Sequence, residues 1–106
     1  MIDVSITVND EGQVQSFVMT GHAMFDEHGS DIVCAGASAV VFGSVNAVLN
    51  MTEANPSIEM EEETGYFSFM VQDPGDEKLQ TILESMIISL KTIEEEYGEH
   101  IRLVYK

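Results

Sequence analysis

Cysteine is nearly absent from this chain. Cys34 is the only one among 106 residues, so no disulfide can form within the chain. A fold without disulfides depends on its hydrophobic core, and a chain of this length can bury one such core. Scarce cysteine is typical of a reducing compartment. The first ten residues, MIDVSITVND, also lack the basic head and apolar run of a signal peptide. We therefore expect a single cytoplasmic domain over residues 1–106.

Basic residues are also few. The chain has four Lys and Arg against nineteen Asp and Glu, which gives a formal net charge of −15. Such a surface repels nucleic acid and anionic lipid, which argues against both as partners, and it attracts cationic proteins or peptides. The same charge is also explained by solubility alone, so it becomes informative only beside a site.

Charge is missing altogether from one long segment, Ile32 to Met51. The segment is long enough to cross a bilayer, but it contains several Gly, Ser and Asn residues. It is flanked by Asp31 and Glu53, with no Lys or Arg nearby to anchor an end. We therefore predict a helix in a soluble core, enclosed on most sides. Because a sheet covers only one face of a helix, the second helix or another subunit must cover much of the rest, which suggests a homodimer.

The spacing of apolar residues predicts the order ββαββαβ. Alternation predicts the first strand, the turn NDEG predicts its partner, and a second hairpin is predicted around Glu62 to Gly65. The apolar spacing after DPGDE predicts an amphipathic helix that ends near Gly98. The predicted strands are Met1–Val8, Val14–Thr20, Ser57–Glu61 and Tyr66–Val71, followed by a last strand in IRLVYK. We expect an α+β fold in which two helices pack on a sheet of about five strands.

The residue types needed for nucleophilic catalysis occur close together, at His22 and Cys34. Gly21 and His22 are predicted to follow the second strand, and Ser30 or Asp31 is a good N-cap for the uncharged helix. Cys34 would then lie in the first turn, where the positive helix end favours a reactive thiolate. A nearby imidazole accepts the thiol proton. The free N–H groups of that turn would bind the oxyanion formed from a peptide carbonyl.

Three other interpretations of these residues remain open. A lone cysteine between apolar neighbours is often an inert buried thiol. A zinc site would use His22, His28 and Cys34, with Asp26 and Asp31 as oxygen ligands, although tight ligand pairs are lacking. Finally, the chain could be a non-catalytic interaction module whose acidic surface binds a basic partner, with Cys34 as a filler residue.

Three stretches of the sequence resemble one known family. The sequences GHA at residues 21–23 and GSDIVCAGAS at 29–38, followed by SLKTIEEEY at 89–97, are similar to the ribosomal-processing cysteine protease family Prp. The resemblance extends over essentially the whole chain. It implies a homodimeric, cytoplasmic bacterial endopeptidase without a metal or cofactor. Its substrate would be large-subunit ribosomal protein twenty-seven, whose N-terminal extension it removes by cutting after an aromatic pair.

The resemblance also implies roles for single residues. Cys34 would be the nucleophile and His22 the general base, with Asp31 and Ser38 as supporting residues and Gly21 as a backbone requirement. Ser38 follows Cys34 by four residues, so a helix places both on one face, although a serine there also bonds its own backbone. Asp31 would orient His22, cap the helix, or do both.

One segment near this motif is expected to form a mobile loop. Residues 23–30 contain few apolar residues and have Gly29 as a hinge before the helix. Such a loop would cover the bound peptide, with Met24 and Phe25 as apolar contacts, although an ordinary exposed loop explains the same composition. His28 is expected in this loop, and His100 on the surface near the last strand.

Overall fold

The computed structural model describes residues 1–21 and 28–106, with the side chains of residues 28–31 outside that description. Two helices and five strands follow one another in the predicted order, and the α+β fold is confirmed. The elements are β1 (Ile2–Val8), β2 (Val14–Thr20), α1 (His28–Met51), β3 (Ser57–Glu61), β4 (Tyr66–Met70), α2 (Glu77–Tyr97) and β5 (Ile101–Tyr105).

The strands form one mixed sheet in the order β3-β4-β2-β1-β5. β1 pairs antiparallel with β2 and parallel with β5, while β4 lies antiparallel between β2 and β3. The turn between β1 and β2 is stabilised by the Asn9 side chain, which accepts hydrogen bonds from the N–H groups of Glu11 and Gln13 at 3.0 and 2.9 Å. β3 and β5 are therefore the edges of the sheet.

The core lies between the sheet and the two helices. In α1, apolar residues spaced three and four apart are buried, and α2 buries a matching stripe. Phe17 of β2 stacks between two rings of β4, with centroid distances of 5.9 Å to Phe67 and 5.1 Å to Phe69. The buried helical residues are Val33, Ala37, Val41, Val45 and Val48 in α1, and Leu79, Leu83, Met86, Ile87 and Leu90 in α2.

Two polar side chains define how α2 begins and how it joins the sheet. The carboxylate of Asp76, the N-cap, accepts a hydrogen bond from the N–H of Leu79 at 3.0 Å. One turn later, the amide of Gln80 accepts from the N–H of Val14 at 2.8 Å and donates to the Val14 carbonyl at 2.9 Å. The Gln80 side chain thus bonds both backbone polar groups of Val14, as a neighbouring strand would, at the beginning of β2.

The prediction for the start of α1 is wrong. The helix begins at His28, so Ser30 and Asp31 lie within it and neither is its N-cap. The segment 28–31 contains no proline, and its one glycine costs an α-helix only about 1 kcal/mol, which a long packed helix tolerates. Cys34 consequently lies in the second turn. Its own N–H falls inside the hydrogen-bonded ladder, and the free N–H groups at the helix start are one turn away.

Residues 28–30 are likewise helical rather than part of a loop, so His28 is the first residue of α1. Residues 23–27 of the predicted loop, including Met24 and Phe25, lie outside the described residues. His100 precedes β5, and its backbone carbonyl accepts from the N–H of Ile2 at 2.8 Å. Its side chain is half-buried.

Helix α1, which is uncharged from Ile32 onward, is less enclosed than predicted. Its valine-rich face lies in the core, and a second face packs against α2, where Gly36 approaches Ile93. By length and composition, Ile32–Met51 is also apolar enough to cross a membrane, and 28% of an 18-residue stretch of it is buried inside this domain. The outward face stays uncovered in a single chain, and Ile32 there is 54% exposed.

Candidate active site

A cleft of about 540 Å³ lies between α1 and the hairpin of β3 and β4. It exists because β3 is an edge strand, all of whose residues are exposed. Ile58 and Met60 of this strand alternate with acidic residues and line the cleft without being covered. The fold thus leaves an apolar slot open beside α1.

Helix α1 contributes one wall of the cleft. Cys34, Ser38, Phe42 and Asn46 follow one another at four-residue intervals, and all line the cleft together with Leu49. This spacing places them on one face of a helix, as predicted for Cys34 and Ser38. The Cys34 thiol is free and half-buried, packed against the core. Its accessible side therefore belongs to the cleft.

The remaining lining is mainly apolar and aromatic. Met19 of β2 and Phe67 of β4 are buried side chains that reach the cleft, and Tyr66 lies next to them on β4. The ring of Phe42 meets the ring of Phe67 edge-on, with centroids 5.2 Å apart and an interplanar angle of 76°. Ligand sites typically combine such apolar walls with a few polar groups.

The two ends of the cleft differ in charge. Met19 pairs with Phe67, so the end of β2 lies beside the start of β4 and the turn before it. Gly21, Glu61 and Glu62 therefore line the same end as Cys34. The other end, near Leu49, is lined by uncharged residues, Asn46 among them.

Position 21 requires glycine because of its backbone conformation and its close approach to Met1. Its φ of +95° is left-handed, and a Cβ there would overlap the carbonyl oxygen of Met1. The residue ends the described part of the chain before His22 and lines the same cleft as Cys34. A side chain at this position would push the end of β2 away from the start of β1.

The structure brings together Gly21, Cys34 and Ser38 among the residues singled out from the sequence. His22 lies outside the described residues, as does the side chain of Asp31. Ser44 donates to the carbonyl four residues earlier, at 2.6 Å. Within the described part of the chain, the Ser38 hydroxyl makes no such bond.

Most residues of the hypothetical zinc site fall outside the described side chains. No three His, Cys, Asp or Glu side chains form a cluster that would hold a metal ion among the residues that the structure describes. Two of the five proposed ligands, His22 and Asp26, fall within the segment 22–27, and the side chains of His28 and Asp31 are also not described. Of the proposed ligands, only Cys34 can be placed, and it lies in the apolar cleft.

The hairpin wall was not anticipated from the sequence. The sequence pattern indicates Ile58, Met60 and Tyr66 only as strand residues, and Phe42 only as part of an apolar helix. The four-residue steps from Cys34 would have indicated Phe42. Nothing local indicates that β3 lies beside α1, because that depends on the order of strands in the sheet.

Comparisons with known proteins agree on one family. A family model described as the cysteine protease Prp matches residues 1–102. The ribosomal processing cysteine protease Prp of Staphylococcus aureus (strain Mu50) is 54% identical over 106 residues, which is all of both chains. Its counterpart in Bacillus subtilis (strain 168) is 44% identical over 107 residues, covering 97% of this chain and 96% of the relative.

A solved structure is also closely similar. The essential ribosomal processing protease Prp from S. aureus, in complex with a substrate peptide, superposes with a TM-score of 0.95 at 53% identity, over all of both chains. The S. aureus enzyme with a covalently linked product peptide gives a TM-score of 0.93 at 54% identity, again over all of both chains.

Proposed function

Because this chain belongs to the Prp family of cysteine proteases, we propose that it removes the N-terminal extension from large-subunit ribosomal protein twenty-seven. In this proposal Cys34 is the nucleophile and His22 the general base. Gly21, Asp31 and Ser38 are supporting residues, and the reaction takes place in the cytoplasm.

One observation carries the proposal. The only thiol of the chain lies in a cleft with apolar walls, half-buried and unpaired, on the same helix face as Ser38. An inert core cysteine would be fully buried, as Val33 and Ala37 are. Gly21, the residue before His22 in the sequence, lines the same cleft, which supports the pairing of this imidazole with the thiol.

The reaction follows from these groups. The Cys34 sulfur attacks the scissile carbonyl carbon after its proton passes to His22, and a C–S bond forms. The tetrahedral intermediate collapses as the C–N bond breaks, and His22 returns the proton to the departing amine. Water, deprotonated by His22, then hydrolyses the thioester and releases the free thiol.

The dimensions of the cleft fit an extended peptide. From Cys34 to Leu49 a helix advances about 22 Å, which equals six or seven residues of extended chain at about 3.3 Å each. Apolar walls along that length suit a segment with large apolar side chains. The net charge of −15 complements the strongly basic body of a ribosomal protein.

A cleavage assay with variants tests the proposal. We expect wild-type protein to cut a peptide spanning the extension junction, and both Cys34→Ala and His22→Ala to lose the activity by about a thousandfold or more. Because Cys34 is half-buried and small, its variant is expected to remain folded by circular dichroism. Mass spectrometry of the quenched wild-type reaction is expected to find the acylated Cys34 fragment.

Matched controls separate catalysis from stability. Ser89→Ala, on α2 and outside the cleft, is expected to cleave like wild type. Cleavage by Cys34→Ala at the wild-type rate would refute the nucleophile. If wild type binds the peptide without cleaving it, the alternative is favoured: a non-catalytic acidic module that binds a basic ribosomal protein during ribosome assembly.

We also propose that the protein is a homodimer formed through the outward face of α1. Ile32, Ala35 and Ala39 are exposed there, in a segment without a single charge from residue 32 to 51. Two molecules that each carry a charge of −15 repel each other when their acidic surfaces approach. Contact through the uncharged face of α1 avoids placing carboxylates opposite one another. A second copy is therefore a better occupant than an anionic lipid surface.

Sedimentation equilibrium tests this interface. Wild type is expected to be a dimer and Ala39→Glu a monomer, because the substitution places one carboxylate from each copy in the contact. Ile88→Glu adds the same charge at an exposed residue of α2 and is expected to leave the dimer intact. Wild type that is monomeric at micromolar concentration would refute the dimer.

A further inference from the structure

Phe42 is held firmly but remains open to the cleft. Its side chain is 37% exposed. Its ring rests edge-on against Phe67, which stacks on Phe17 in the core. A row of aromatic rings therefore connects the core to the cleft wall. A ring fixed in this way loses little conformational freedom when a ligand packs against it.

The helix sets the distance between Phe42 and the reactive sulfur. The two residues are separated by eight positions on one face of α1, which corresponds to about 12 Å along the axis. An extended peptide covers that distance in about three to four residues. A peptide whose scissile carbonyl lies at Cys34 thus brings its third or fourth residue from the cut to Phe42.

The charges at the two ends of the cleft indicate the direction of the peptide. Glu61 and Glu62 line the end that contains Cys34, whereas the lining beyond Ser38 toward Leu49 carries no charged side chain. In the proposed substrate, the basic mature protein follows the cut, so it leaves past the carboxylates. The extension that precedes the cut then lies along Phe42.

We propose that Phe42 is a specificity-determining residue that selects a large apolar side chain, preferably aromatic, at the third or fourth position before the scissile bond. The proposal rests on the proposed function, since it takes Cys34 as the reacting group. It assigns to Phe42 a role in peptide selection and none in the chemical steps.

A binding experiment tests the selection directly. The probe is a fluorescein-labelled peptide spanning the junction between the extension and the mature ribosomal protein, bound to Cys34→Ala and followed by fluorescence anisotropy. In a peptide series, each of the six residues before the cut is changed to Phe or to Ala in turn. Phe42→Ala and Phe42→Leu are each combined with Cys34→Ala, and Ile88→Ala is the exposed apolar control.

We expect the Phe-over-Ala preference at the third or fourth position to be about three- to tenfold with Phe42 and to disappear with Phe42→Ala. Phe42→Leu is expected to retain binding of apolar peptides but to lose the preference for an aromatic ring. Ile88→Ala is expected to leave the whole series unchanged. With Cys34 present, the same preference is expected in kcat/KM.

An equal loss across all peptides would overturn the proposal, because it would mean that Phe42 only supports the fold through Phe67. An unchanged series would overturn it as well. The two proposals fail in different ways. If wild type does not cleave the peptide but the position-specific preference is found, only the catalytic role of Cys34 is refuted. If wild type cleaves normally and the preference is absent, only the role of Phe42 is refuted.

Discussion

Replacing Gly21 with alanine probes the backbone that leads into the proposed catalytic histidine. At φ +95°, any side chain pays the cost of a left-handed conformation, about 1–2 kcal/mol. The new Cβ also overlaps the Met1 carbonyl oxygen. The chain cannot move aside freely there, because Ile2 is buried and its N–H donates to the His100 carbonyl at 2.8 Å.

We therefore expect Gly21→Ala to lower the free energy of unfolding by about 3 kcal/mol. Gly12→Ala is the matched control, since φ there is +79° but nothing lies within 4 Å of the added Cβ. It is expected to cost only about 1 kcal/mol. The difference between the two variants measures the contact with Met1.

Urea unfolding followed by circular dichroism measures both free energies, and thermal unfolding checks them. For a domain of this size, about 3 kcal/mol corresponds to a Tm lower by about 12 °C or more. Equal losses in the two variants would refute the close approach of Gly21 to Met1. Peptide cleavage by folded Gly21→Ala is expected to fall as well, since the end of β2 shifts at the cleft.

Three further outcomes are expected. Phe17→Ala removes a fully buried ring and is expected to cost about 3–5 kcal/mol in urea unfolding, and a loss below about 1 kcal/mol would contradict the stacked core. Asp76→Ala is expected to lower the free energy of unfolding by about 1 kcal/mol and Asp76→Asn to change it little, because both Asp and Asn cap helices. Equal losses in the two variants would contradict the role of Asp76 as the N-cap. Cleavage of the full-length basic substrate is expected to slow as salt shortens the Debye length from about 10 Å at 0.1 M. Equal salt dependence for an uncharged short peptide would rule out electrostatic steering by the −15 charge.

Much of the secondary structure was predictable because it depends on local patterns. Alternation in IDVSITV reports a strand with one buried face, the turn residues after it indicate a hairpin with VQSFVMT, and the three- and four-residue spacing after Asp76 reports a helix. Those patterns led to the correct element order. The start of α1 was mispredicted, since Ser30 and Asp31 have good capping side chains but a helix also extends through such residues.

The placement of the site was predictable only in part. Cys34 and Ser38 share a face because four residues make about one helical turn, which sequence spacing alone determines. The wall formed by Ile58 and Met60 depends instead on β3 being the edge strand beside α1. Which strands become neighbours is decided by long-range pairing, and a local pattern reports that a face is buried without reporting what covers it.

The sequence by itself determined the types and order of the elements and the acidic charge. It also determined that Cys34 and Ser38, one helical turn apart, lie on the same face. Only the tertiary structure decided that the uncharged helix keeps an open face, that Phe42 rests on the aromatic core, and that the thiol opens into an apolar cleft. The physical reason is that periodicity is a property of one segment, whereas a cleft is the space left between segments after each has buried its own apolar face.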